Sequence, residues 1–235
     1  ALDTTTRNAS VSLMVNKDIY TKCINNEVTH SEKLLPLIDE ILKEHNVNLK
    51  NIDLYACING PGSFTGIRIG LSTLKAFSFV DKKSIFSINS TDLIAITSYL
   101  NSSFYKEKKQ ANIVSLIDAK NERVYYSVNN LSVIDDKIVI SPILTTSNEL
   151  IDDVLEKIEH NLTNTIFAGN IVNNYIDKIS SKFSNITTSE FYPTTEDLIH
   201  AYLSINDTEK NMFNTYTLDA NYARKTQAER LKDEK

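Results

Sequence analysis

The hydrophobic and polar positions in the first half of the chain follow two different periods. Val11, Leu13 and Val15 alternate with other residues, which indicates a half-buried strand. From residue 29 onward the apolar residues repeat at helical spacing, and Thr29 with Glu32 has the spacing of a capping box. The same signals predict strands at 1–3, 10–15, 19–25, 52–58 and 84–88, and helices at 29–45, 67–79 and 91–100.

A polar segment, residues 101–112, is followed by a second half in which the order of elements repeats. We predict strands at 113–118, 123–129, 137–144, 165–168 and 186–191, and helices at 147–158, 172–183 and 194–205. Thr146 and Glu149 have the spacing of a second capping box. The repeat divides the chain into two lobes, residues 1–105 and 106–235. Two tandem βββαβαβα lobes are typical of the α/β fold shared by actin, Hsp70 and sugar kinases, the ASKHA fold.

Composition narrows the class of protein. The chain has 235 residues, which is long enough to bury a sizeable core. Its net charge is −5, and its two cysteines are too far apart in the sequence to form a CxxC motif. This net negative charge argues against a protein that binds nucleic acid by itself, because affinity for nucleic acid comes mainly from Lys and Arg. No apolar run reaches the ~18 residues of a membrane span, and the first residues do not resemble a signal peptide. We expect a cytoplasmic protein with no membrane contact.

Four of the five glycines fall within one run, NGPGSFTGIRIG at residues 59–70. The run lies between a predicted strand and a predicted helix, where phosphate-binding loops occur, because N–H groups at a helix start attract anions. It is neither a P-loop nor a dinucleotide fingerprint, since no Gly-Lys-Ser/Thr follows and the glycine spacing is one residue too long. A tight turn with close helix packing explains the glycines equally well. The residues of this signature turn are Gly60, Pro61, Gly62, Ser63, Phe64, Thr65, Gly66 and Arg68.

The first predicted hairpin carries Asp3, Thr4 and Thr5. In ASKHA kinases this hairpin wraps a nucleotide phosphate with an Asp, a Gly and hydroxyl residues, but no glycine is present here. The corresponding hairpin of the second lobe, DAKNER at residues 118–123, is bulky and charged, and Glu122 would repel a phosphate. We interpret the first hairpin as a vestigial phosphate site. A small-molecule kinase that uses ATP is the alternative function.

Other catalytic signals are weak. None of the four histidines is spaced for a helical metal pair, so we expect no metal site. The serines lack a nucleophile-elbow context, which makes a peptidase the weakest alternative. We therefore predict no catalytic residue. The histidines are His30, His45, His160 and His200.

The predicted helices at 29–45 and 67–79 carry wide apolar stripes, which usually face a core. Leu35 and Ile69 add apolar groups on other flanks of these helices. A helix that is apolar most of the way round is either wholly buried or docks on a partner. The residues alone leave both interpretations open.

The run GPGSFTGIRIG at residues 60–70 resembles the signature of the TsaB (YeaZ) family, which takes part in forming threonylcarbamoyladenosine in bacterial tRNA. Supporting matches are LDTTT at 2–6, HSEKLLP at 30–36, DAKNERVY at 118–125, YAR at 222–224 and ER at 229–230. The resemblance implies a non-catalytic ASKHA protein that pairs with and activates the catalytic paralogue TsaD, joined by the ATPase TsaE. That assembly modifies the adenosine beside the anticodon (t6A) in tRNAs that read ANN codons.

The resemblance also implies where cofactors and partners belong. ATP and a metal are expected on partner subunits, with no cofactor in this chain, and tRNA is expected to be reached only through the complex. Family members self-associate when TsaD is absent, so a homodimer through the same two helices is implied. Carried over to this chain, the residues at the pairing surface are Leu34, Leu37, Ile38, Ile41, Leu71, Leu74 and Phe77.

Overall fold

The alternating segments form two mixed sheets in a computed structural model of the chain, which describes residues 1–25, 30–158 and 162–223. The first sheet contains β1 (Leu2–Asp3), β2 (Asn8–Val15), β3 (Asp18–Asn25), β4 (Tyr55–Ile58), β5 (Ile85–Ile88) and β11 (Met212–Phe213). The second contains β6 (Ala111–Asp118), β7 (Arg123–Ile134), β8 (Lys137–Leu150), β9 (Thr165–Gly169) and β10 (Ile186–Glu190).

Seven α-helices and three short 3₁₀ turns are present in the described ranges. The α-helices are α1 (His30–Glu44), α2 (Phe64–Asp81), α3 (Ser90–Leu100), α4 (Ser103–Lys106), α5 (Ile151–Lys157), α6 (Ile176–Lys182) and α7 (Thr195–Ser204). The 3₁₀ turns are Leu49–Asn51, Asn173–Tyr175 and Glu209–Asn211. No helix in these ranges combines the length and the apolar character that crossing a bilayer requires.

The strand orders of the two sheets are the same permutation. The first sheet runs β5-β4-β1-β2-β3 with β11 added at one edge, and the second runs β10-β9-β6-β7-β8. In each, the first three strands are antiparallel, while the fourth and fifth run parallel to the first. This repetition confirms the predicted α/β fold with two βββαβαβα units of the ASKHA type.

Helix α3 fills the space between the two sheets. Ile94 and Ile96 are fully buried and belong to a core cluster that also holds Phe86 of the first sheet and Ile113 of the second. A helix that is apolar all round is expected at such a central position. Helices α1 and α2 pack on the other face of the first sheet, and α5 and α6 belong to a separate core cluster with the second sheet.

The helix predicted at 147–158 was wrong in its first residues. Strand β8 continues to Leu150, and Ser147 pairs with Tyr126 of β7. The capping box predicted at Thr146 is therefore absent, and the Thr146 hydroxyl instead lies 2.7 Å from that of Thr91 in α3. A long neighbouring strand offered a complete backbone ladder, and this tertiary pairing prevailed over the local capping signal.

Other boundaries also differ from the prediction. Strand β4 begins at Tyr55 and not at residue 52, and α2 begins at Phe64 because the Ser63 side chain caps it. The helix predicted at 172–183 is divided into a 3₁₀ turn and α6. Thr29 of the first predicted capping box lies outside the described residues. A capping box that was not predicted begins α7, where Thr194 and Asp197 bond each other's backbone N–H.

The C-terminal part of the chain returns to the first lobe. Strand β11 pairs antiparallel with β5, and Leu218 is buried in the core cluster of the first sheet with an exposure of 1%. Asn221 then donates its backbone N–H to the Asn59 carbonyl at 2.8 Å. The division into residues 1–105 and 106–235 stays a prediction, and the segment from Met212 to Asn221 contacts the first of these two parts.

Candidate functional site

The signature turn connects β4 to α2 and is bonded to the first hairpin. Ser63 is the N-cap of α2, and its side chain accepts a hydrogen bond from Gly66 N at 3.2 Å. Ser63 N itself donates to the Thr5 carbonyl at 2.7 Å. Two of the N–H groups at this helix start are thus bonded to protein acceptors. The sequence suggested such groups as anion donors, but here they hold the turn to the hairpin.

The glycines of the turn form a contact surface for Thr4 and Thr5. A Cβ atom would lie 2.5 Å from the Thr5 carbonyl oxygen at Gly62, and 1.8 Å from the Thr4 carbonyl oxygen at Gly66. At Gly70 it would lie 2.4 Å from Thr4 Oγ1. Thr4 Oγ1 also donates to the Gly66 carbonyl at 2.7 Å. Of the two interpretations that the sequence left open, close packing accounts for these three glycines.

Gly60 has a different neighbour, the C-terminal segment. Its φ of +107° lies in the region that favours glycine, and a Cβ would lie 2.7 Å from the Asn221 carbonyl oxygen. Asn59 Nδ2 also donates to the Asp219 carbonyl at 3.4 Å. The peptide bond between Gly60 and Pro61 is cis. The turn is therefore enclosed by the hairpin on one side and by the C-terminal segment on the other.

The polar groups of the first hairpin are bonded to each other. Asp3, Thr4 and Thr5 are all buried, and Asp3 Oδ1 accepts from both the N–H and the hydroxyl of Thr5 at 2.7 Å. The Thr5 hydroxyl also lies 3.1 Å from the Tyr192 hydroxyl, which belongs to the second half of the chain. Burial raises the pKa of Tyr192 well above its usual value, so this hydroxyl stays protonated. The hairpin joins the two lobes.

The second hairpin is also closed by its own side chains. Asp118 accepts from Lys120 N at 2.8 Å and pairs with Lys120 Nζ at 2.5 Å. Although burial opposes it, this lysine and its N–H lower the pKa of the Asp118 carboxyl. Lys120, Asn121 and Glu122 all have positive φ, so bulky residues hold the conformation that a glycine would adopt more easily. Arg123 is turned away to bond Asn148 of β8.

The seven residues predicted to bind a partner face the interior of the first lobe. Leu34, Leu37, Ile41, Leu71 and Leu74 have exposures between 1% and 7% and belong to its core cluster. Ile38 and Phe77 are half-buried, pack against the same cluster and line a cavity inside the lobe. Five of the seven residues are core positions of this chain, where they hold α1 and α2 on the sheet, and their part in pairing stays a prediction.

The same helices expose other apolar side chains. Leu35 of α1 is 52% exposed, and in α2 Phe79 and Val80 are 51% and 74% exposed, with Ile69 half-buried. Apolar residues on the flanks of both helices were the sequence signal for this surface, and Leu35 and Ile69 were identified from it. Phe79 and Val80 were missed because they lie at or beyond the predicted end of their helix. We call these four residues the apolar face of α1 and α2.

An aromatic cluster marks the beginning of α2. The Arg68 guanidinium lies 3.9 Å from the centre of the Phe64 ring, and Arg68 Nε donates to the Tyr222 hydroxyl at 3.0 Å. Phe64 and Tyr222 are 44% and 40% exposed. These contacts join Phe64 and Arg68 of the signature turn to the C-terminal segment. Arg224, Glu229 and Arg230 of the matched motifs lie outside the described residues.

Titratable groups do not assemble a reactive centre in the described ranges. No three His, Cys, Asp or Glu side chains there come together as metal ligands. The His45 ring stacks on Tyr20 with centres 3.6 Å apart, and His200 lies 3.7 Å from Glu196. The His160 position is outside the described residues, and the His30 side chain is not described. Burial raises the pKa of the Cys57 thiol to about 12, so it is a neutral core group.

Comparison with known proteins gives matches of two kinds. A family model described as TsaD, tRNA N6-adenosine threonylcarbamoyltransferase, matches residues 26–202. The tRNA threonylcarbamoyladenosine biosynthesis protein TsaB of Haemophilus influenzae is 35% identical over 131 residues, which are 54% of this chain and 51% of that protein. TsaB of Buchnera aphidicola subsp. Schizaphis graminum is 32% identical over 126 residues, 54% of this chain and 57% of that protein. The chain thus spans about half the length of these relatives.

Solved structures match over nearly the whole chain. A Pseudomonas aeruginosa protein described as uncharacterized, with similarity to peptidase YEAZ, has a TM-score of 0.75 and 19% identity over 95% of this chain and 97% of that one. YeaZ from Pseudomonas aeruginosa has a TM-score of 0.70 and 18% identity over 94% of this chain and 98% of that one. At these identities the likeness establishes the fold.

Proposed function

We propose a function from the premise that this chain belongs to the TsaD family of tRNA N6-adenosine threonylcarbamoyltransferases and, within it, to the TsaB (YeaZ) group. The chain serves in forming threonylcarbamoyladenosine (t6A) in tRNA. Its part is that of a subunit that carries out no chemistry itself and activates a catalytic TsaD by pairing with it through α1 and α2.

The observation that carries this proposal is the contrast between the two faces of α2. One face bears Gly66 and Gly70 and is fixed to the first hairpin by contacts that leave no room for a Cβ atom. On the opposite face, Phe79 is 51% exposed. Apolar side chains on a rigidly positioned helix are suited to bind another protein, because little conformational entropy is lost on association.

The polar groups of the first hairpin bond to one another, and this supports a subunit that does not transfer phosphate. The Asp3 carboxylate accepts two hydrogen bonds from Thr5, and the Tyr192 hydroxyl lies beside the Thr5 hydroxyl. A nucleotide phosphate would have to displace these buried contacts, and each lost hydrogen bond costs about 1 kcal/mol or more. ATP turnover above that of a matched control would contradict the proposal and favour the kinase alternative.

The remaining partners follow from the same proposal. ATP belongs to a TsaE subunit and the metal to TsaD, and tRNA is bound by the assembled complex. The acidic net charge of −5 supports an indirect contact with tRNA, since phosphate binding depends on Lys and Arg. The complex is proposed to act in the cytoplasm, on tRNAs that read ANN codons.

The test is the molar mass of the chain, alone and mixed with TsaD from the same organism, by light scattering during gel filtration. We expect a one-to-one complex with TsaD and a homodimer of the chain alone. Leu35→Glu combined with Val80→Glu should weaken both associations at least tenfold, because each places a charge in an apolar contact. Both residues are more than half exposed, so the variant should still fold.

Ile143→Glu is the matched control. Ile143 is 47% exposed but lies on β8 of the second lobe, so its variant should pair as the unchanged chain does. Equal loss of pairing in both variants would show a general effect of surface charge. A chain that does not associate with TsaD would contradict the proposed function itself.

A further inference from the structure

One side chain from the second half of the chain, that of Tyr192, reaches the surroundings of the signature turn. Tyr192 lies between β10 and α7, and it packs against the core cluster between the two sheets. Its backbone is held on both sides. Phe191 N donates to the Gly169 carbonyl at 3.1 Å, and after the buried Pro193 the capping box of Thr194 begins α7. The Tyr192 side chain therefore projects from a fixed part of the backbone.

The Tyr192 hydroxyl meets two hydroxyl groups of the first half of the chain. It lies 3.1 Å from the Thr5 hydroxyl, and it also faces the Ser90 side chain. Thr5 donates its own hydroxyl proton to Asp3 Oδ1 at 2.7 Å. Ser90 donates its proton to the Pro61 carbonyl, also at 2.7 Å. Both oxygens are thus left as acceptors, and the Tyr192 proton is the donor between them.

The surroundings keep this proton on Tyr192. Burial raises the pKa of Tyr192 well above its usual range, and the negative charge of Asp3 raises it further. The Tyr192 hydroxyl is therefore a hydrogen-bond donor at neutral pH, as the two acceptors require.

The two hydroxyl groups beside Tyr192 belong to residues that hold the signature turn at both ends. The Thr5 carbonyl accepts from Ser63 N at 2.7 Å, and Ser63 is the N-cap of α2. Ser90 N donates to the Gly60 carbonyl at 2.8 Å, in addition to its side-chain bond to the next residue of the turn. The contacts at the two ends of the turn thus meet at a single hydroxyl.

The position of the turn determines the position of α2. The helix begins at Phe64, directly after the N-cap. With 18 residues it is a stiff rod about 27 Å long, so a displacement of its first turn is carried to its other end. Phe79 and Val80 of the apolar face lie at that end.

We propose that Tyr192 is a positioning residue, whose hydroxyl allows the second half of the chain to fix the signature turn and, through it, the helix that pairs with the partner. The role in pairing rests on the proposed function. The hold on the turn is a property of this chain alone, so the two can be tested separately.

Tyr192→Phe removes the hydroxyl and keeps the ring. We expect the amides of Ser63 and Ser90 to exchange their hydrogens about fivefold faster in this variant, the factor that corresponds to one ordinary hydrogen bond. Hydrogen exchange of the whole chain, followed by NMR, measures both amides.

Thr195→Val is the matched control. Thr195 Oγ1 lies 2.6 Å from Ser12 Oγ, and both residues are buried. This change therefore also removes a buried hydrogen bond between α7 and the first sheet, but its partner belongs to β2 and not to the turn. The Ser63 and Ser90 amides should exchange as in the unchanged chain, even where the urea midpoint falls as much as in Tyr192→Phe.

Calorimetric titration with TsaD from the same organism tests the role in pairing. Tyr192→Phe should weaken the pairing by about the same fivefold factor, because the order that the turn has lost must be restored when the partner binds. Thr195→Val should leave the affinity unchanged.

Three results would overturn the proposal. Exchange at Ser63 and Ser90 could be unchanged in Tyr192→Phe, or it could be accelerated equally in both variants, which would indicate a general loss of stability. Faster exchange in Tyr192→Phe with unchanged affinity for TsaD would show that the turn does not position the pairing helix. If the unchanged chain did not pair with TsaD, the proposed function would fail, and the exchange rates would still decide whether Tyr192 holds the turn.

Discussion

Gly66 is the residue at which the packing of the signature turn is tightest. A Cβ there would lie 1.8 Å from the Thr4 carbonyl oxygen, which is a backbone atom and cannot rotate away. Gly66→Ala should therefore lower the free energy of unfolding by about 3 kcal/mol, at the upper end of the usual cost of overpacking. Urea denaturation measures this difference.

Thr65→Ala is the control for that change. Thr65 is the preceding residue of α2, and it is exposed. Its substitution should change the free energy of unfolding by no more than about 0.5 kcal/mol. If Gly66→Ala were as mild as this control, the close approach of the hairpin would not be what requires glycine.

At the scale of elements, the order of strands and helices could be predicted because each type has its own period. The alternation at Val11, Leu13 and Val15 and the helical spacing of the apolar residues in α1 and α2 both gave the correct element types. The C-terminal end of β8 could not be predicted, because residues 147–150 join this strand only through pairing with the long strand β7. Pairing between distant segments leaves no mark on the local period.

The candidate site was predicted in part for the same reason. The two helices and the signature turn were identified, whereas the burial of Leu34 and Leu74, which were predicted to bind a partner, was not foreseen. An apolar stripe shows which side of a helix is hydrophobic. It does not show whether that side is covered by the sheet of the same chain or by a partner protein. Leu35 and Val80, which lie outside the predicted apolar stripes, are exposed.

At the scale of the whole molecule, the C-terminal segment is a structural part of the first lobe. Leu218 is buried beside residues of α1 and α2, and β11 extends the sheet next to β5. Leu218→Ala should lower the free energy of unfolding by about 2–5 kcal/mol, as is usual for a buried leucine. The fluorescence of the tyrosines during urea denaturation measures this loss.

Leu203→Ala is the matched control, because Leu203 is 44% exposed at the end of α7. It should change the free energy of unfolding much less than Leu218→Ala. If the two variants were equally stable, the C-terminal segment would contribute little to the core of the first lobe.

The return of the chain to β5 has a consequence for the order in which the protein can fold during synthesis. Translation proceeds from the N-terminus, so the first five strands leave the ribosome well before Met212 and Phe213 do. Until then the outer edge of β5 has no neighbouring strand, and such an edge is prone to pair with other chains. The first lobe is therefore completed only when the C-terminal segment has been synthesised. A ribosome that stalls before residue 212 leaves a product in which the edge of β5 is prone to aggregate.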